Sequence, residues 1–195
     1  MTPSKLSQAF QKFDEANAGD PNKETYLGET YPKELLYAEH MTRTLMEFSP
    51  NASEALRLAA RCQHIRRWEI PRDSYPMDRI GYLKWRNKLK KFHAEIASKI
   101  MKEVGYSEDT INEVRLLLEK KGLKKNPDTQ TLEDVICLVF LEHYLEEFAK
   151  KHPREKALDI LRKTWGKMSK TGQEAALRLP LSSNSALLVS DALSG

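Results

Sequence analysis

Cysteine is scarce: the 195 residues contain two, Cys62 and Cys137. They form no CxxC spacing, so neither a disulfide framework nor a cysteine-built zinc cluster organises the fold. Both fall inside helical patterns and read as buried reduced thiols, which predicts a reducing, intracellular setting. Long apolar runs are missing too, none approaching the ~18 residues of a membrane span. The start, "MTPSKLSQAFQKF", has neither the apolar core of a signal peptide nor an arginine-rich transit pattern. A cytoplasmic or nuclear protein with no membrane partner is expected. Charge of one sign does not dominate, with 32 Lys and Arg against 28 Asp and Glu for a formal +4. That is far below the arginine-dense surface of a dedicated nucleic-acid binder, so RNA is a disfavoured partner and small acidic or phosphorylated molecules fit better. Strictly alternating runs with β-branched residues are also absent, which argues against the sheet-based fold classes.

What the chain does have is apolar residues at helical spacing almost from end to end, at 40% hydrophobic content. The prediction is an all-α, single-domain compact bundle of about seven to nine helices over residues 1–180, followed by a tail over 181–195. "SKLSQAFQKFDEANAGD" sets Leu6, Phe10 and Phe13 on one face behind a Ser4 cap, and Gly19-Asp20-Pro21 stops it. "PKELLYAEHMTRTLMEF" opens on Pro32. "SPNASEALRLAARCQHI" opens on Ser53 and is expected to run to a break around Trp68 to Pro71. The next stretch, "RRWEIPRDSYPMDRIGY", is rich in turn residues yet holds Trp68, Ile70, Tyr75 and Tyr82, so it reads as an ordered loop. "LKWRNKLKKFHAEIASKIMKEVG" closes at Gly105, and "SEDTINEVRLLLEKKG" is capped by Ser107 or by a Thr110–Glu113 box. Thr131 opens "TLEDVICLVFLEHYLEEFAKKH", the most apolar and therefore central helix, and Pro153 opens its successor. The tail, "LSSNSALLVSDALSG", reads as a short docked helix or a frayed end.

Candidate chemistry begins at "LRLAARCQHIRRWEIPRDSYP", residues 56–76. Its stripe of Leu56, Ala59, Ala60, Gln63 and His64 starts apolar and finishes on an amide and an imidazole. His40, His64 and His93 each sit beside apolar positions of a different helical segment, which makes them candidate metal ligands. Asp134, Leu138 and Glu142 share one stripe of the central helix, where a carboxylate beside "VICLVFL" has to be at the edge, paired or metal-bound. A mix of imidazole and carboxylate suits iron, manganese, nickel or zinc, so the divalent metal is not discriminated. Arg66, Arg67 and Arg72 follow His64. Guanidinium groups grip phosphate or carboxylate bidentately, although a solvated loop of surface ion pairs is the simpler account. Trp68 and Trp85 either stack on a ligand ring or anchor the core. Lys120, Lys121, Lys124 and Lys125 either extend a phosphate site or answer the dipole of a helix C-terminus.

The order "EHMTRTL", "EALRLAARCQHI", "FHAEIASKIMKEVGYSEDTINEVRLLLEKKG" and "TLEDVICLVFLEHY" resembles the helical layout of the HD-domain superfamily of metal-dependent phosphohydrolases. The resemblance implies metal ligands at His40, at a His-Asp doublet closing the next helix, and at a later aspartate. The doublet falls on Gln63-His64 or His64-Ile65, so one member is missing. Asp134 best matches the later aspartate, with Glu142 a weaker choice, and His93 sits where extended members place a further ligand. Lys120 and Lys121 stand where such members often carry another histidine. A closer resemblance, carried by "ELLYAEHMT", "LAARCQHIRRWEIPRDSYPMDRIGYLKWR", "KFHAEIA" and "QTLEDVICLVFLEHY", is to the domain-of-unknown-function family 4202. That family implies no activity. A loose label as glutamyl-tRNA synthetase-like circulates for some members. Such a synthetase needs a nucleotide-binding α/β core with its phosphate motif, and neither is present.

The functional expectation is an HD-like hydrolase acting on a small anionic, phosphorylated substrate. A divalent metal held by His40, His64, His93 and Asp134 would lower the pKa of a bound water. Arg66 and Arg67 would stabilise charge, Glu142 would orient or replace a ligand, and Arg72, Lys120 and Trp68 would hold the substrate. A redox-active iron pair on the same ligands would give an oxygenase instead. The alternative is a non-catalytic helical module that binds an anionic ligand, RNA or a protein.

Overall fold

The computed structural model describes residues 3–194. Side-chain caps open the helices. Ser4 accepts from the Ser7 N–H at 3.1 Å, Ser53 from Leu56 at 3.1 Å and Ser107 from Thr110 at 3.3 Å. Asp78 and Asn126 cap two more, accepting from the Gly81 and Thr129 N–H groups. The resulting order is α1 (Lys5–Ala18), β1 (Lys23–Tyr26), β2 (Glu29–Pro32), α2 (Lys33–Phe48), α3 (Glu54–Arg61), α4 (Arg79–Val104) and α5 (Glu108–Leu118). Then come α6 (Pro127–Val139), a π-helical segment (Phe140–Tyr144), α7 (Leu145–Lys151), α8 (Arg154–Trp165), α9 (Lys170–Ala176) and α10 (Ser183–Ser194). The described residues form a compact all-α structure apart from one hairpin.

Several boundaries differ from the sequence expectation, each for a local reason. The hairpin pairs Lys23 with Pro32 and Tyr26 with Glu29 around Leu27-Gly28, both left-handed, as a two-residue turn requires. It was not expected, because each strand is only four residues long and shows no strong alternation. The helix from Ser53 stops at Arg61, before Gln63 and His64, and two short 3₁₀ turns (Arg67–Glu69 and Arg72–Ser74) shape the connection to α4. The central helix starts at Pro127 rather than Thr131, because Asn126 is the cap and Pro127 fits the first turn. The tail forms α10, which packs on α8 and α7 with Val189 and Ala192 buried.

Two apolar clusters meet on α6. Phe13, Met41, Leu45, Leu56, Met101 and Ile111 pack with Val135 and Val139 of α6 in the larger one. Cys137 and Leu138 of the same helix turn to Leu145, Leu158, Leu161 and Val189 in the smaller one. Along the part of α6 that is buried on both faces there is no room for a solvated charge, so its two buried acidic residues, Glu133 and Asp134, are held by partners. Cys62 and Cys137 are buried thiols.

Candidate functional site

The end of α3 sets the site. Cys62 caps the helix, and Arg66 adopts the left-handed conformation (φ 52°, ψ 33°) with its N–H donating to Asn17 Oδ1 at 3.0 Å. Left-handed backbone is costly for a non-glycine residue, and here a fixed partner holds it. The reversal turns His64 and Arg67 onto the first turns of α2. The His64 ring stacks on Tyr37 at 4.0 Å and 13°. Arg67 Nη1 lies 3.1 Å from both ring nitrogens, and Glu34 Oε2 lies 3.3 Å from Nδ1. Glu34 and Tyr37 reach one ring because they are three residues apart on a helix.

From α4, His93 approaches to 5.9 Å between ring centroids. Its Nδ1–H donates to the Ile65 carbonyl at 2.8 Å, which fixes the tautomer and leaves Nε2 as a buried acceptor with no partner. The Gln63 Oε1 atom is likewise buried and unpartnered. Burial, reinforced by the charges of Arg67, Arg86, Lys120 and Lys33, holds His64 well below its ordinary pKa. Burial also pushes His93 down to about 3 and raises the Glu34 carboxyl. Two neutral imidazoles thus sit in a positive field.

Glu34 and Arg67, which hold His64, also line a neighbouring cleft of about 360 Å³, with Lys33, Trp68, Ile70, Arg72 and Trp85 among its other walls. Trp85 is an anchor: its Nε1–H donates to the Ile70 carbonyl at 2.8 Å, and the Arg67 guanidinium lies 5.1 Å over its ring. Arg72 is mostly consumed in holding the loop, donating to the carbonyls of Tyr75 and Pro76 at 3.0 and 2.8 Å. Outside the cleft's lining, Lys120 and Glu133 form a close ion pair, and Lys167 stands 3.9 Å from the same carboxylate. Burial opposes ionisation of Glu133, but the two lysines outweigh it and hold its carboxyl below the usual range. Lys120 also carries positive φ, at 56°, at the end of α5.

Other expected residues lie elsewhere. His40 stacks on His143 at 3.7 Å and 11°, and Arg43 Nη2 donates to His40 Nδ1 at 3.0 Å and to His143 Nε2 at 3.3 Å. The π-helical segment carries His143 and so forms half of a clamp between α2 and the close of α6. Asp134 accepts from the Ser169 N–H and Oγ–H at 2.7 and 2.5 Å and from Gln130 Nε2 at 3.1 Å, which holds the start of α9. Glu142 stands 3.6 Å from His143, and Arg66 pairs with Glu69 at 2.5 Å on the outside of the loop. The structure therefore brings together His64, His93, Arg67 and Trp68, with Lys120 within electrostatic reach of His64 and Arg72 at the rim. It does not bring His40, Asp134, Glu142 or the Arg66 side chain to them.

The metal set expected from the sequence does not fit. Asp134 spends both oxygens on α9, His40 is turned to Arg43 and His143, and the two remaining histidines sit among cations that repel a metal ion. Among the described residues no three His, Cys, Asp or Glu side chains are placed to hold one. Sequence reasoning missed Glu34, Tyr37, Arg86, Lys90, Glu133 and Lys167. The "KELLYAEH" spacing of Glu34 and Tyr37 was the one available signal. No curated protein and no solved structure matches the chain. Residues 7–189 match the family described as Domain of unknown function (DUF4202), and the chain belongs to that family.

Proposed function

We propose that the chain binds a small phosphorylated ligand in the cleft beside His64, with fixed side-chain cations supplying the positive charge that a metal would otherwise bring. One observation carries this. Arg67 lines the cleft, is half-buried and, among the described residues, pairs with no carboxylate. A desolvated cation without a counter-ion is unfavourable, so the arrangement is complete only when an anion is present. Arg67 is the principal contact because its guanidinium is already oriented by Trp85 and His64, which reduces the entropy lost on binding. Trp68 offers the cleft an apolar wall.

A second reading rests on the His64–Glu34 pair. A carboxylate on Nδ1 and an imidazole held neutral form a general-base arrangement, so phosphoester hydrolysis by these residues follows if a water is held at His64. The HD-like layout suggested by the order of helices belongs to this second reading.

Calorimetric titration with inorganic phosphate tests the proposal. Binding is expected to persist in the presence of a chelator and to weaken with salt. Arg67→Ala is expected to weaken it roughly 10- to 100-fold, the equivalent of one charge-assisted hydrogen bond. Binding abolished by chelation and restored by a divalent metal would refute the metal-free reading. Release of phosphate from a generic phosphoester, lost in His64→Gln, would establish the second reading.

A further inference from the structure

We infer that the outward face of α4, with the loop just before it, is a peripheral docking surface for an anionic lipid bilayer. The inference is separate from anion binding in the cleft, because none of the residues that would touch the bilayer lines that cleft.

Gly81, Trp85, Leu89 and His93 form the buried stripe of the first turns of α4. Ile80, Leu83, Lys84, Asn87 and Lys91 share the opposite face, which runs about 17 Å along the helix. Ile80 is 65% exposed and Leu83 52%, and Met77, just before the Asp78 cap, is 77% exposed. These three side chains stand on a fixed corner. Asp78 Oδ1 accepts from the Gly81 N–H at 2.6 Å, and Arg72 Nη2 donates to the carbonyls of Pro76 and Asp78 at 2.8 and 3.2 Å. The loop lies so close to the helix that a Cβ at Gly81 would collide with the Pro76 carbonyl. Little backbone order is therefore left to lose on docking.

Charge and shape together select the occupant. Between Arg79 and Ala94 the chain holds six Lys and Arg and no acid. Of these, Arg79, Lys84, Lys88 and Lys91 are exposed and, among the described residues, pair with no carboxylate. The cations call for an anionic partner, and Met77, Ile80 and Leu83 call for an apolar layer. A nucleic acid offers only the first. A second copy meeting the same face under two-fold symmetry would set lysine against lysine. The three apolar side chains line neither the 360 Å³ cleft nor the depression of about 620 Å³ along α1, so they project outward instead of forming a groove for a partner helix. A bilayer with acidic headgroups answers both demands, taking the apolar side chains at the acyl boundary and the lysines at headgroup level. Among the described residues no helix is long and apolar enough to cross a membrane, and a peripheral contact needs none.

The test is co-sedimentation of the full chain with phosphatidylcholine vesicles, with and without about 30% phosphatidylserine. Binding to the acidic vesicles is expected to be at least tenfold tighter than to the neutral ones. Lys84→Gln, Lys88→Gln and Lys91→Gln should each weaken it about fivefold. Ile80→Asn with Leu83→Asn should weaken it at least tenfold without lowering the melting temperature, since both side chains are exposed. Leu187→Gln, at an exposed leucine of α10, should change nothing. Absence of binding to either vesicle, or equal binding to both, would overturn the inference. So would binding that ignores the Ile80 and Leu83 substitutions and is matched by a single-stranded oligonucleotide, which would make the face a site for soluble polyanions.

Discussion

Replacing Asp134 with alanine separates a structural carboxylate from a ligand-binding one. The residue is 2% exposed, and its two oxygens accept from the Ser169 N–H, the Ser169 hydroxyl and Gln130 Nε2. Hydrogen bonds to a charged group contribute about 1.5–3 kcal/mol each. The three share one carboxylate and are not additive, so the expected loss is about 3–5 kcal/mol. Part of it is the Ser169 N–H left without an acceptor at the start of α9. For a chain of this length the loss corresponds to a melting temperature lower by roughly 6–20 °C. A Cβ on Gly172 would stand 2.6 Å from the Asp134 carboxyl, so Gly172→Ala should be tolerated better in the Asp134→Ala background than alone. Urea unfolding followed by circular dichroism measures the stability, and phosphate titration at low temperature measures the site. A stability loss below about 1 kcal/mol, together with weakened phosphate binding, would refute this assignment and return Asp134 to the functional site.

Three further outcomes follow from the same contacts. Gly172→Ala alone should destabilise by about 1–3 kcal/mol, because both close atoms belong to a carboxylate already fixed by three donors; a neutral effect in urea titration would contradict the packing. Lys120→Met leaves Glu133 buried with only Lys167 at 3.9 Å, so it should cost about 3–5 kcal/mol, and adding Glu133→Gln should recover part of that loss. Burial chiefly holds His40 and His93 at about 3 and His143 at about 4, below the ordinary value of 6.5. The unfolded chain takes up these protons first as pH falls, so the stabilisation is present above about pH 6.5 and is lost towards the folded-state values. The expected slope is about 1.4 kcal/mol per pH unit for each histidine kept neutral. Urea midpoints that stay level between about pH 7 and pH 5 would refute the neutral assignment.

Much of the fold was legible because helix periodicity and hydroxyl caps are local signals. Ser4, Ser53 and Ser107 each cap where the sequence placed them. The hairpin was not legible, since four-residue strands borrow their stability from packing on α2. Nor was the early end of α3. The stripe from Leu56 to His64 keeps helical spacing past the last helical residue, and the stop is enforced by Arg66 in a left-handed conformation secured from α1. A tertiary hydrogen bond across 49 positions leaves no local trace.

Glu133 and Asp134 show why the candidate site was only half legible. Consecutive helical residues point about 100° apart, so on a helix buried on both faces two adjacent carboxylates look in different directions. Asp134 is the better match to the later aspartate of the HD-like layout, and its carboxylate faces the start of α9. Glu133 points to Lys120 and Lys167, and through them to the field around His64. Both acids satisfy the rule that a buried carboxylate needs a partner, so the rule cannot rank them. The rank comes from the partner's own situation. Ser169 is a neutral cap that is satisfied once Asp134 accepts its hydrogens, whereas Lys120 and Lys167 bring two charges to one carboxylate and leave a surplus. With Lys120 buried and Lys167 half-exposed beside it, Glu133 belongs with the charges around His64 that the proposed anion site uses, and Asp134 with the frame.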